Sequence, residues 1–265
     1  MIEVTSKDGT TIGFDRLGDG PPVVLVCGGS TSRSANAPLA RLLAERFTVF
    51  NYDRRGRGDS GDTPPYAVER EVEDLDAVIA AAGGSAAVYG TSSGAALALE
   101  AAASGLRVTK LALWEPPFIV DASRPRPPAD TAATYGDFVA AGRRGDAVEF
   151  FMTEVVGLPA DFVAQARLAP WWLHQEALAH TLAYDATIMG DHSVPTERVA
   201  SVETPTLVID GAASPAWMRT STRTVAGLLP AGRHLTLEGQ DHNVSAEALA
   251  PVLETFFVGR NGDRP

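Results

Sequence analysis

The chain has 265 residues, 45% of them hydrophobic, which is enough to bury one sizeable core with an insertion. A formal net charge of -11 argues against nucleic acid or an anionic membrane surface as partner, since either would need a basic face. With one cysteine, Cys27, there is no intramolecular disulfide, and a small buried residue at a strand end is its expected role.

The amino terminus, Met1 to Gly9, lacks the charged-then-apolar pattern of a signal peptide, and no apolar run reaches the roughly 20 residues of a spanning helix. The expected location is the cytoplasm. Ile2–Ser6 and Thr10–Arg16 read as a hairpin around Asp8-Gly9. Strand-like runs follow at Pro22–Cys27, Phe47–Tyr52, Ala86–Tyr89, Val108–Trp114, Thr206–Asp210 and Arg233–Leu237. Most are continuously apolar, as strands covered on both faces should be, so the expected fold is α/β, an eight-stranded mostly parallel sheet flanked by helices. Between the strands, Val68, Val72, Leu75 and Ile79 share one helical face. The accompanying Glu69, Glu71, Glu73, Asp74 and Asp76 read as a solvated face.

After Trp114 the rhythm breaks. Glu115-Pro116-Pro117 and Arg124-Pro125-Arg126-Pro127-Pro128 interrupt regular structure, and strands resume only near Thr204-Pro205. The intervening stretch reads as helical, with Asp130 and Asp146 as N-caps and Gly145 and Gly157 as terminators. This divides the chain into a core over residues 1–118, a helical cap over 119–198 and a second core segment over 199–265. An insertion at the carboxyl ends of the strands would cover the place where open sheets bind ligands.

Chemistry centres on Gly90-Thr91-Ser92-Ser93-Gly94, a G-x-S-x-G pentapeptide between a strand and the helix-forming Ala95–Ala103. Such a turn is so tight that flanking side chains would collide with backbone, and it holds the serine exposed in a strained conformation. The plain alternative is a flexible turn, which the strand before and the helix after disfavour.

With this turn placed, the chain resembles α/β-hydrolases of the capped type over nearly its whole length. Val23-Val24-Leu25-Val26-Cys27-Gly28-Gly29 is similar to the family's strand and His-Gly-x loop, with Cys27 in the usual histidine's place. Asn51-Tyr52-Asp53-Arg54-Arg55-Gly56-Arg57-Gly58-Asp59-Ser60 is similar to its D-x-R-G-x-G-x-S loop, and Leu237 to His242 to its Gly-x-x-His loop. The resemblance implies Ser92 as nucleophile and His242 as base, with oxyanion donors in the backbone N–H groups of Gly29 and Ser93. His174, His180 and His192 fall in the insertion, and His234 lies in the last strand, where a structural role is expected.

The orienting acid departs from the usual pattern. Where the family has Gly-x-x-Asp, this chain has Gly211-Ala212-Ala213-Ser214, so three other carboxylates compete. Glu115 follows the strand after the serine turn, a placement found in part of the haloalkane dehalogenase branch and in certain lactone hydrolases. Asp210 comes four residues before Ser214, and Asp241 adjoins His242. Glu115 is preferred, against the alternative of a surface carboxylate before a Pro-Pro turn.

Serine rather than aspartate in the turn disfavours dehalogenase and epoxide hydrolase chemistry. The expected function is a serine hydrolase cleaving a carboxylic ester or lactone through an acyl-enzyme. Non-hydrolytic acyl transfer, cyclisation or elimination on the same fold, or a receptor-like module without turnover, are the alternatives. Trp114, Phe118, Phe151, Trp171, Trp172, Tyr184 and Trp217 are candidates for an apolar pocket wall, though such aromatics also serve simply to glue helices together. Arg54, Arg55 and Arg57 suggest an anion site, but a structural role is the better expectation. No nucleotide-binding glycine pattern and no metal-ligand spacing occur, so neither cofactor nor metal is expected. The expected partner is a small-molecule substrate, and the oligomeric state is open.

Overall fold

The computed structural model describes residues 2–259. Residues 1 and 260–265, the outermost positions of the core segments expected over 1–118 and 199–265, lie outside the described residues.

Eight strands form one sheet in the order β1-β2-β4-β3-β5-β6-β7-β8. The hairpin of β1 (Ile2–Thr5) and β2 (Thr11–Leu17) turns at Asp8-Gly9, where Gly9 takes φ +89° and the Asp8 carboxylate accepts from Thr10 N at 3.0 Å. β2 lies antiparallel to β4 (Thr48–Tyr52). The remaining neighbours, β3 (Pro22–Val26), β5 (Ala86–Thr91), β6 (Val108–Trp114), β7 (Thr206–Gly211) and β8 (Gly232–Leu237), all run parallel.

The continuous apolar runs are explained by helices on both faces. Val23 and Leu25 of β3 point into a core shared with α1 (Ala37–Leu43) and α11 (Ala246–Val258). Val24 and Val26 point into a second core, with α2 (Val68–Ala81), α3 (Ser93–Ala103) and α10 (Ala216–Leu228). A strand buried on both faces can have no polar alternation, which is why these segments read as they do.

Six helices lie between β6 and β7: α4 (Thr131–Ala140), α5 (Arg144–Phe150), α6 (Ala160–Ala166), α7 (Trp172–Leu178), α8 (Leu182–Met189) and α9 (Thr196–Ala200). They carry a small core of their own around Tyr135, Val148, Val163, Trp172 and Leu182. Two of the expected helix signals are misplaced. Gly142, at φ +72°, ends α4, with Arg143 N donating back to Phe138 O at 2.8 Å. Gly145 sits inside α5 instead, because a Cβ there would lie 2.5 Å from Glu176 Oε1, and Asp146 falls in the first turn of α5 rather than before it. Asp130 does precede α4, and Gly157, at φ +84°, ends a wide π-helical turn over Phe151–Val156.

The acidic face of α2 also needs correction. Glu71 and Asp74 are buried, each chelated by an arginine from the loop after β4. Arg54 Nε and Nη2 donate to Glu71 at 2.7 and 2.8 Å, and Arg55 Nε and Nη2 donate to Asp74 at 2.7 and 2.8 Å. Helical periodicity places these carboxylates beside the apolar stripe, and only the incoming guanidinium groups make their burial affordable.

Candidate active site

Ser92 stands between β5 and α3 at φ 55° and ψ -125°, a conformation costly for a residue with a Cβ. Packing leaves no room for anything else. A Cβ on Gly90 would lie 2.4 Å from Gly94 O, and one on Gly94 would lie 2.4 Å from Cys27 O. The backbone of β5, the turn and the loop after β3 are thus in direct contact, and the serine turn cannot relax.

Above it opens a cavity of about 540 Å³ bordered by Gly29, Ser92, Ser93 and His242 and walled by residues of the insertion. The amides of Gly29 and Ser93 donate to no protein acceptor among the described residues, leaving two N–H groups available at the cavity floor beside the serine. Cys27, two residues before Gly29, is buried, and its carbonyl packs on Gly94 of the serine turn.

His242 lies in the loop between β8 and α11, and its Nδ1 is 2.8 Å from Glu115 Oε2. Glu115 is fully buried, one residue past β6. Its backbone takes φ 44°, and Glu115 N extends the parallel β6–β7 ladder by donating to Ile209 O at 3.0 Å. The second oxygen, Oε1, accepts from Gly211 N at 2.9 Å, so both carboxylate oxygens are held. Trp114 completes the support, donating Nε1–H to His242 O at 3.1 Å. The other two candidate acids face elsewhere. Asp210 Oδ2 lies 2.9 Å from Nε2 of His234 on β8, and Asp241 accepts from Asn243 N within its own turn at 2.8 Å. Ser214 occupies the loop where an acid was sought, and its buried hydroxyl has no hydrogen-bond partner among the described residues.

Of the seven aromatics expected at the pocket, Phe151 and Trp217 line the cavity. Trp114 and Phe118 are instead core residues under the sheet ends, drawn in by the apolar surface available there. Trp172 is buried in the insertion's own core, where its Nε1–H donates to Glu176 at 3.0 Å. Trp171 is 46% exposed on the outer surface, and Tyr184 stacks on Tyr66 while donating its hydroxyl to Asp62 at 2.7 Å.

Asp185 of α8 is a residue that sequence reasoning missed. It accepts from Arg54 Nη1 at 2.8 Å, from Arg57 Nη2 at 2.9 and 2.8 Å, and from Ser93 Oγ at 2.8 Å. Burial alone would push its pKa up, but Arg57, Arg54 and these hydrogen bonds outweigh that and hold the carboxyl below its ordinary range. Arg57 also donates to Gly28 O at 2.6 Å. One ion cluster therefore ties the insertion to the loop carrying the Gly29 amide and to the residue after the serine. The only sequence signal was three arginines in one loop, which, once buried, require carboxylates.

Among the described residues no group of three or more His, Cys, Asp or Glu side chains could hold a metal ion, and no helix is long and apolar enough to cross a membrane.

A parallel sheet with a serine at a strained strand-to-helix turn, and a buried carboxylate–histidine pair at the strand ends, is the architecture of an α/β-hydrolase. The model of the Alpha/beta hydrolase family matches residues 23–254, and the chain belongs to that family. It is similar to a crystal structure of an alpha/beta hydrolase from Sphaerobacter thermophilus, with 58% identity, 97% of this chain and 100% of that one covered, and a TM-score of 0.92. The fold is shared with the enol-lactonase of Burkholderia xenovorans at 20% identity, 97% and 100% coverage and a TM-score of 0.72. A probable oxidoreductase, EphD, of Mycobacterium tuberculosis is 42% identical over 81 residues, 29% of this chain and only 14% of that protein's length.

Proposed function

We propose that the chain is a serine hydrolase that cleaves a carboxylic ester or lactone. The observation that carries this reading is the 2.8 Å contact between His242 Nδ1 and the fully buried Glu115, in a cavity whose floor is the strained Ser92. Glu115 keeps the Nδ1 proton on its own side of the ring, which leaves Nε2 as the base for the Ser92 hydroxyl. The serine oxygen bonds to the carbonyl carbon as its proton passes to His242. The oxyanion is met by the amides of Gly29 and Ser93. The imidazolium then returns the proton to the departing alkoxide, and a water activated by His242 cleaves the acyl-enzyme to acid and free Ser92. For a lactone, the alkoxide stays tethered and the product is a hydroxy acid.

The helical insertion serves as the cap over residues 119–198, and Phe151 and Trp217 provide apolar wall. A fluorophosphonate probe is expected to label the wild type but not Ser92→Ala. The same variant should lose about 10⁴-fold or more in kcat on p-nitrophenyl esters. Failure of the wild type to label would end the hydrolase reading, and labelling without ester turnover would move it to non-hydrolytic chemistry.

A further inference from the structure

One charged group in the cavity is not accounted for by the mechanism. Arg124, from the Pro-rich entry to the insertion, lines the cavity wall together with Pro117, Ile119, Met189, His192 and Trp217. Its guanidinium lies 4.3 Å above the Trp217 ring, and its Nη2 donates to Val155 O. These two contacts fix the plane of the group. They leave Nε and Nη1 with no protein acceptor among the described residues.

Among the described residues no carboxylate pairs with it, although the insertion is rich in pairs. Arg126 meets Asp191, Arg143 meets Asp146, and Arg167 meets both Asp146 and Glu149. The cavity's own carboxylate, Asp185, is already committed to Arg54 and Arg57. Burial pulls the Arg124 guanidinium below its ordinary pKa with no anion to oppose it. A half-buried guanidinium in a largely apolar cavity without an anionic partner is costly, and in a chain of net charge -11 a carboxylate could readily have been supplied.

We propose that Arg124 is the anion-binding end of this cavity and that the ester or lactone cleaved at Ser92 carries a carboxylate, which Arg124 holds. The proposal rests on the serine-hydrolase reading and gives it a substrate class. The Nη2–H that Val155 leaves unused lies alongside a free N–H of Nε or Nη1, and that edge matches the two oxygens of a carboxylate. One unpaired positive charge neutralises a carboxylate monoanion but would leave a phosphoryl dianion half compensated, so the carboxylate is the better match. Arg124 is a wall residue of the cavity, and the Gly29 and Ser93 amides already serve the oxyanion in the proposed mechanism, so the role assigned to Arg124 is to position the substrate.

The test compares the p-nitrophenyl monoester of adipic acid with p-nitrophenyl hexanoate, two acyl chains of equal length that differ in the terminal carboxylate. The wild type is expected to favour the adipate monoester in kcat/KM. Arg124→Gln should lower the ratio of the two kcat/KM values by about 10- to 100-fold, and Arg124→Lys should restore part of it. A wild type that prefers hexanoate, or a ratio unchanged in Arg124→Gln, overturns the proposal. Adipate binding gives a readout independent of turnover: adipate, but not 1,6-hexanediol, should raise the Tm of the wild type and of Ser92→Ala. If neither ester is turned over but adipate still stabilises the fold through Arg124, the hydrolase reading fails and the anion site stands. If adipate has no effect on either protein, the anion site fails whatever the esters show. Should Arg124→Gln not fold, the wild-type preference and the adipate shift decide by themselves.

Discussion

The molecule contains two carboxylate–histidine pairs at neighbouring strand ends, and they have different surroundings. Glu115–His242 and Asp210–His234 are nearly identical in contact distance, 2.8 and 2.9 Å, and both carboxylates are fully buried. Glu115 has its second oxygen on Gly211 N, and its histidine borders the cavity with Ser92. Asp210 has a second oxygen with no partner among the described residues, and its histidine sits on the edge strand β8 and does not line the cavity. A buried carboxylate–histidine pair is therefore no evidence of catalysis on its own. What distinguishes the first pair is the strained Ser92, two amides without a protein acceptor among the described residues, and a cavity that all of them border.

The widest separation between the pairs should appear in activity. Glu115→Gln keeps shape but loses the charge that, in the proposed mechanism, orients His242, and a fall of about 10³- to 10⁴-fold in kcat is expected. Asp210→Asn should stay within about threefold, because in the proposed mechanism its histidine transfers no proton to or from Ser92. Steady-state kinetics on a p-nitrophenyl ester, with thermal melts to confirm folding, checks both, and the reverse order would move the acid to Asp210.

A smaller contrast is expected in stability. His234→Gln weakens the bond of a carboxylate that already has one orphaned oxygen, and it should cost about 1–3 kcal/mol in urea unfolding while leaving ester turnover near wild type. No loss of stability would mean that the Asp210–His234 pair is incidental.

The smallest effect concerns a histidine with no bonded carboxylate. Burial, aided by Arg124 and Arg126, holds His192 below its ordinary pKa of 6.5, against the opposing influence of a Pro117 backbone bond and Asp191. As the pH falls below 6.5 the unfolded chain takes up a proton that folded His192 refuses, so stability is present above that pH and is lost below it. The slope from this one group is at most about 1.4 kcal/mol per pH unit. His192→Gln should flatten the decline in unfolding free energy between about pH 6.5 and 5, and an unchanged slope would assign the decline to other groups.

The sheet was legible in the sequence because burial on both faces writes itself as unbroken apolar runs. Val23 to Val26 is such a run, and all four residues are buried. The serine turn was legible because only glycine fits at positions 90 and 94, where backbone approaches within contact distance. The acid could be narrowed to a few carboxylates but not separated by spacing alone. Glu115 and Asp210 lie at the ends of adjacent strands, one just past β6 and one just inside β7, and which histidine each meets depends on the left-handed turn at Glu115 and on the reach of its longer side chain.

The pocket wall was the least legible. Aromatic content pointed to Trp171, Trp172 and Tyr184, yet the insertion spends them on its surface, its own core and a stack with Tyr66. Local pattern by itself determined the strands, the strained serine and the family. The partner of each buried charge was decided only in three dimensions, because Glu71, Asp185, Glu115 and Asp210 find their cations or histidines across at least 17 residues of chain. Arg124 was decided the same way, since only the assembled cavity shows that its guanidinium lies over Trp217 with free donors and no carboxylate partner among the described residues. Periodicity reports how a residue relates to its near neighbours. Electrostatic complementarity between distant segments leaves no such imprint, and it is what shapes this site.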